Sequence, residues 1–141
     1  MNTGEEAAAL HNKGYNCTQC VLKVCRSRYF PELDDNMLTR IASGFGGGIC
    51  CGQFCGAASG GVMAVGLCHS FDETDDESIA ASKAEIKKLI QSYNKDFKEK
   101  FGSLLCCDLK GGRYSCGELI AYGAELAEKM IKNKENYNGN L

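Results

Sequence analysis

Apolar residues recur along the chain at the three- and four-residue spacing of helices almost throughout. No segment alternates polar and apolar residues as a strand does, and no hairpin dipeptide separates two β-branched runs. We therefore predict an all-α fold, a single compact bundle of about five to six helices with a glycine-rich loop before a buried central helix. Residues 1–141 would form one domain, in which 133–141 are a frayed tail.

Helix caps and breakers divide this pattern into elements. The first three predicted helices lie at 5–13, from the N-cap Asn16 to Pro31, and from Asp34 or Asp35 to Gly44. The next two run from Gln53 to about His69 and from the acidic turn 72–77 to Gly102. A short turn capped by Ser103 follows, and a last helix begins at the capping box 115–118. The acidic turn reads as a charged helix start, because acidic side chains suit the positive end of a helix dipole.

Glycine is concentrated in the loop 44–52 and in the apolar helix that follows it. Gly56, Gly60 and Ala64 recur every four residues in that helix and predict a stripe on which another backbone lies close. Glycine inside a helix costs about 1 kcal/mol relative to alanine, so close approach there is expected to matter. The loop lacks the Gly-Lys-Ser/Thr ending of a phosphate-binding loop, which argues against nucleotide binding.

Composition and charge narrow the classes of partner. Hydrophobic residues make up 44% of the chain and the net charge is −2, which is typical of a globular protein and leaves no large basic surface for nucleic acid. We expect no nucleic-acid partner. The most apolar stretch, 54–67, is shorter than the roughly 20 residues that a membrane-spanning helix needs, so no membrane span is predicted.

Cysteine is the abnormal residue type, with ten in 141 residues. The first six residues are acidic and carry no basic or apolar export signal, so we expect a cytoplasmic protein. Because the cytosol keeps thiols reduced, a cysteine excess there points to metal, cluster or redox chemistry rather than to structural disulfides.

Four cysteines coincide with predicted helix starts: Cys17, Cys55, Cys106 and Cys116. Free N–H groups and the positive end of the dipole stabilise anions there, so these thiols are expected to have lowered pKa values and to act as nucleophiles or metal ligands. Four such helix ends meeting in one place would suit a multiply negative group. A thiolate-ligated iron–sulfur cluster is such a group, although the sequence does not set its type.

The remaining cysteines divide into two sets. Cys50, Cys51 and Cys107 lie beside the predicted pocket and are secondary candidates for a metal or redox role. Cys20, Cys25 and Cys68 occupy interior helix positions and are expected to be buried apolar filler. Backbone N–H groups of the loop could hydrogen-bond sulfur, so four glycines are expected to cradle a cofactor: Gly46, Gly47, Gly48 and Gly56.

The motifs Asn16-Cys17, Ser43–Gly48, Cys55–Gly60, Phe97–Cys106 and Cys116 resemble the C_GCAxxG_C_C family of redox-active proteins. The resemblance spans roughly residues 5–132 and implies that Cys17, Cys55, Cys106 and Cys116 are the characteristic cysteines of the family. The family is also similar to a domain of split-Soret cytochromes, which bind haem and an iron–sulfur centre. The haem-attachment motif of those cytochromes is missing here, so the analogy carries over only the cluster.

Three functions follow from these observations. The first is an oxidoreductase or electron-transfer protein with an iron–sulfur cluster, which works with a redox partner protein that the sequence does not identify. The second is a metal-free protein that exchanges thiols and disulfides, and the third is a structural module with a four-thiolate zinc site. The sequence leaves open whether Cys106 or Cys107 is the functional thiol, and whether a homodimer completes the site.

Overall fold

The computed structural model describes residues 1–69 and 75–133, and this part of the chain contains seven α-helices. Their bounds are Thr3–His11 (α1), Cys17–Tyr29 (α2), Asp35–Ile41 (α3), Gly56–Cys68 (α4), Asp76–Phe101 (α5), Cys106–Leu109 (α6) and Cys116–Lys132 (α7). The predicted all-α fold is confirmed, and the helix count exceeds the prediction because the turn at Cys106 forms α6. Most of the predicted tail, 134–141, and residues 72–74 of the acidic turn lie outside the described residues.

Helix α4 is the central element. It packs against α2 on one side and α7 on the other, while α1 lies across α2 and α7. Among the helices that the structure describes, none combines the length and apolar character needed to cross a lipid bilayer.

The predicted start of α4 at Gln53 is wrong by three residues. Phe54 forms an isolated antiparallel bridge with Leu105 instead, in which the Cys55 N–H donates to Leu104 O at 2.7 Å and the Cys106 N–H donates to Gln53 O at 2.6 Å. This pairing keeps the chain extended until Cys55, because the partner segment comes from far along the sequence.

The predicted small-residue stripe on α4 is confirmed where α2 crosses it. A Cβ added at Gly60 would lie 2.6 Å from the backbone oxygen of Thr18, closer than side chains tolerate. The absence of a side chain therefore lets the two backbones touch.

Helix α5 is anchored through its second half, where Tyr93 is fully buried. The Tyr93 hydroxyl donates to Gly123 O of α7 at 2.9 Å, and the ring lies against Gly61 of α4, where an added Cβ would overlap the hydroxyl. The predicted end of this helix at Gly102 is confirmed, at φ 86°. The helix begins within the predicted acidic turn, where the Asp75 side chain accepts from the Ser78 N–H and caps it.

The glycine-rich loop contains a left-handed turn that continues past its glycines. Four consecutive residues have positive φ: Gly47 (64°), Gly48 (65°), Ile49 (57°) and Cys50 (56°). Glycine adopts this conformation freely, whereas each non-glycine residue there costs about 1–3 kcal/mol. Ile49 is also 48% exposed, so little burial offsets its backbone strain.

We expect Gly61→Ala to lower the free energy of unfolding by about 1–3 kcal/mol, because the added methyl meets a rigid, buried tyrosine. Gly66→Ala is the matched control in the same helix, since nothing lies within 4 Å of an added Cβ there. That control should raise the free energy of unfolding by about 1 kcal/mol. Urea denaturation measures both, and equal effects of the two variants would contradict this packing.

We expect Ile49→Gly to raise the free energy of unfolding by about 1 kcal/mol, because glycine relieves the left-handed strain. Ile41 is the control: it is 57% exposed but has right-handed dihedrals (φ −59°, ψ −38°). Ile41→Gly should lower the same quantity by about 0.5–1 kcal/mol. Chemical denaturation in which both variants lose equal stability would disprove the strain at Ile49.

Candidate four-thiol site

Four cysteines at four helix starts line one cavity. Cys17, Cys106 and Cys116 are the first residues of α2, α6 and α7, and Cys55 is the N-cap of α4. All four line the same small cavity. Cys55 and Cys106 are 3% and 7% exposed, and Cys17 and Cys116 are half-buried. The structure therefore brings together the four thiols that the sequence singled out.

Local capping fixes the starts of α2 and α7. The Asn16 side chain accepts from the Gln19 N–H at 2.8 Å, and the Gln19 side chain accepts from the Asn16 N–H at 3.0 Å. The two hydrogen bonds make a complete capping box. Ser115 accepts from the Glu118 N–H at 3.1 Å. The second arm of the capping box predicted at α7, from the Glu118 side chain, does not form. Each cap orients the first helical turn, so it also positions the cysteine that follows it.

The start of α6 is fixed differently from the prediction. Leu105, not Ser103, is its N-cap. The Ser103 hydroxyl accepts from the Leu105 N–H at 3.0 Å and donates to the Asp108 carboxylate at 2.8 Å. The antiparallel bridge brings the 53–55 and 104–106 segments together, so it sets Cys55 and Cys106 beside each other.

A buried hydrogen bond joins the starts of α2 and α4. The Thr18 hydroxyl donates to Gly56 O at 2.8 Å, and Thr18 is completely buried. A Cβ at Gly56 would overlap the Cys17 sulfur. Glycine at this position therefore provides the space that the Cys17 thiol occupies beside α4.

Burial has the largest effect on the pKa values of Cys55 and Cys106, the two inner thiols of the cavity. It raises the pKa of Cys55 to about 11, although the Ala58 and Ala57 N–H groups at the start of α4 act in the opposite direction. The pKa of Cys106 is also raised, mainly by burial. The predicted lowering of the pKa at helix starts is wrong for these two thiols, because loss of hydration outweighs the Ala58 and Ala57 N–H groups at Cys55 and the charge of Lys110 at Cys106.

Lys110 is a site residue that the sequence analysis missed. It lies in the cavity wall, and its charge lowers the pKa of Cys106 against the effect of burial. Its position four residues after Cys106 was the available signal, because residues at this spacing lie on the same side of a helical turn.

The space enclosed by the thiols is small. The cavity has a volume of about 10 Å³, roughly that needed by one water molecule. Its other walls include the apolar side chains of Leu109 and Leu119. Within residues 1–69 and 75–133, no three His, Cys, Asp or Glu side chains are grouped closely enough to hold a single metal ion.

Of the four glycines predicted to surround a cofactor, one lines the cavity and three do not. Gly56 lines the cavity, whereas Gly46, Gly47 and Gly48 lie outside its wall. Gly48 packs closely against Cys106 of the cavity wall, since an added Cβ would lie 2.7 Å from the Cβ of Cys106. A Cβ at Gly46 would lie 2.6 Å from that of Asn16, so the loop also touches the cap of α2.

The other cysteines lie outside the cavity wall. Cys50, Cys51 and Cys107 are exposed. The three expected to be buried filler are buried: Cys20, Cys25 and Cys68. Burial raises the pKa of both Cys20 and Cys25 to about 12, which keeps these thiols protonated at neutral pH.

We expect alkylation of Cys55 in the metal-free protein to be slow at neutral pH and to accelerate about tenfold per pH unit. The acceleration should continue towards the pKa of about 11, because only the thiolate reacts. Fragment-resolved mass spectrometry after pulses of iodoacetamide measures this rate, with exposed Cys50 as the internal reference. A Cys55 rate that levels off near pH 8 would contradict the raised pKa.

Comparison with known proteins places this site in a family. The family model described as "Putative redox-active protein (C_GCAxxG_C_C)" matches residues 15–130, a range that contains all four thiols of the cavity. No curated protein and no solved structure shows significant similarity to the chain. On the strength of a match over most of its length, the chain belongs to the C_GCAxxG_C_C family.

Proposed function

We propose that this protein carries out redox chemistry with a thiolate-ligated iron–sulfur cluster held by Cys17, Cys55, Cys106 and Cys116. The observation that supports the proposal is the meeting of four thiols, each from a different helix start, at one cavity. The redox description of the family agrees with it. Electrons would pass to or from a separate partner protein.

The donor set has the chemistry that such a cluster requires. Iron–sulfur clusters are held by four cysteine thiolates, and the bound cluster supplies a site that gains and loses single electrons. Hydrogen bonds to sulfur and a dry, apolar surrounding tune that chemistry. The backbone N–H groups at the start of α4 and the leucines of the cavity wall supply these features.

The cavity between the four thiols is too small to hold a cluster without a change in shape. A cluster contains at least two irons and two sulfides, so it is larger than the water-sized cavity of about 10 Å³. Cys17 and Cys116 are only half-buried, so their thiols have room to rotate towards solvent. We expect binding to widen the cavity on this side.

The chain's own charges would assist loading. Cys55 and Cys106 must lose their protons to become ligands, and burial opposes that loss. Lys110 favours the thiolate of Cys106, and the first N–H groups of α4 favour that of Cys55. Because ligation releases protons, loading should become more favourable as the pH rises.

The small cavity favours a second candidate, a metal-free dithiol that forms a disulfide between two of the four cysteines. This reaction needs no space beyond that between two sulfurs, and it would transfer two electrons and two protons to a disulfide-type oxidant. It would leave the purified protein colourless and free of iron.

We expect anaerobic reconstitution to give a coloured protein that contains iron and acid-labile sulfide. Cys17→Ser, Cys55→Ser and Cys116→Ser should each lose most of the iron, because serine replaces a soft thiolate by a protonated hydroxyl. Cys106→Ser should behave similarly, unless exposed Cys107 replaces it. Iron-to-protein ratios and visible absorption measure this series.

Buried cysteines outside the cavity provide the matched controls. Cys20→Ala and Cys25→Ala should retain the iron and lose only about 1 kcal/mol of stability. A colourless, iron-free wild-type protein would disprove the cluster, and bound zinc whose removal unfolds the protein would instead show a structural metal site. Equal iron loss in the site variants and the controls would show that all of these cysteines serve folding.

A further inference from the structure

The outer surface of the glycine-rich loop carries two adjacent cysteines that the four-thiol site does not use. Cys50 and Cys51 are both exposed. The Cys50 thiol donates to Gly44 O at 3.6 Å and the Cys51 thiol donates to Gly48 O at 3.4 Å. Both are therefore held on the backbone of their own loop and remain open to solvent.

The backbone that presents these thiols is strained. Ile49 and Cys50 are the two non-glycine residues with positive φ in the described part of the chain. Both side chains are exposed, so burial in the core does not account for their conformation. Strain that packing does not explain is a reason to look for a functional role.

The geometry of neighbouring residues determines what two such thiols can form. Cα atoms joined by a trans peptide lie about 3.8 Å apart, below the roughly 4.4–6.8 Å that is usual across a disulfide. A bond between adjacent cysteines therefore closes a tight ring. Strained and exposed disulfides are the ones that are readily reduced again.

We infer that Cys50 and Cys51 form an accessible dithiol that exchanges with small-molecule disulfides of the glutathione type and closes reversibly to a Cys50–Cys51 disulfide. One loop thiolate attacks the small disulfide, forms a mixed disulfide and releases one small thiol. The second loop thiolate then displaces the other small thiol. Two cysteine thiols are oxidised to one disulfide, one small disulfide is reduced to two thiols, and the two cysteine protons pass to them.

The position of the pair links it to the inner site. Gly48, whose carbonyl accepts from Cys51, lies so near Cys106 that a Cβ added at Gly48 would lie 2.7 Å from the Cβ of Cys106. Closing the outer disulfide would therefore act on the part of the loop that supports the cavity wall. The exchange reaction itself does not depend on whether the inner site binds a cluster.

The test uses the full-length, reduced, metal-free protein and oxidised glutathione as the probe. We expect the wild type to lose two hydrogens within the peptide that contains residues 50 and 51, with no glutathione retained. In a Cys107→Ser background, which removes the exposed thiol facing Gly52, Cys50→Ser and Cys51→Ser should each instead keep one glutathione on the remaining loop cysteine, because the adjacent loop thiol that would displace it is gone. Intact-protein and peptide mass spectrometry separate these products.

Cys107→Ser is the matched control, because Cys107 is exposed but lies on α6, opposite Gly52. It should close the Cys50–Cys51 disulfide as the wild type does. Retention of glutathione on the peptide that contains residues 50 and 51 of Cys107→Ser, two separate adducts at these positions in the wild type, or no reaction at either position would each overturn the inference. Iron binding by the reconstituted protein is measured separately, so failure of the proposed cluster is distinguishable from failure of the dithiol.

Discussion

Direct contact between the first turns of α2 and α4 is the constraint on which the thiol site depends. Helical backbones approach this closely only where glycine replaces a side chain, and Gly56 and Gly60 provide that space. The buried Thr18–Gly56 hydrogen bond fixes the register of the two helices. Cys17 and Cys55 therefore meet at one end of the contact, and the bridge between Phe54 and Leu105 adds Cys106 to them.

Two opposing electrostatic effects meet at this point. The first N–H groups of α4 favour the thiolate of Cys55 and the charge of Lys110 favours that of Cys106, whereas burial favours the neutral thiol and is the larger effect at both. The site without a cofactor is accordingly a set of mainly protonated inner thiols around a water-sized space. A cationic group that displaces the protons would supply the stabilisation that the helix starts alone do not.

The sequence predicted what is determined locally and missed what is determined at a distance. Asn16, Ser115 and Gly102 are read correctly as caps or stops, because each acts through residues within a few positions. The start of α4 and the cap of α6 are misread, because the pairing of Phe54 with Leu105, far apart in the sequence, sets both. The raised pKa of Cys55 is missed for the same reason: burial is a property of the assembled fold. Positive φ at glycine could be expected in the loop, whereas its extension through Ile49 and Cys50 could not.

The most direct test of this account is the iron and sulfide content of Gly56→Ala after anaerobic reconstitution, with Gly66→Ala as the control. A methyl group at position 56 occupies the space of the Cys17 sulfur without removing any cysteine, whereas the methyl at position 66 meets open space. The account predicts that Gly56→Ala keeps its helical circular dichroism and loses most of its iron, while Gly66→Ala binds as much as the wild type. Full iron and sulfide in a folded Gly56→Ala protein would contradict it.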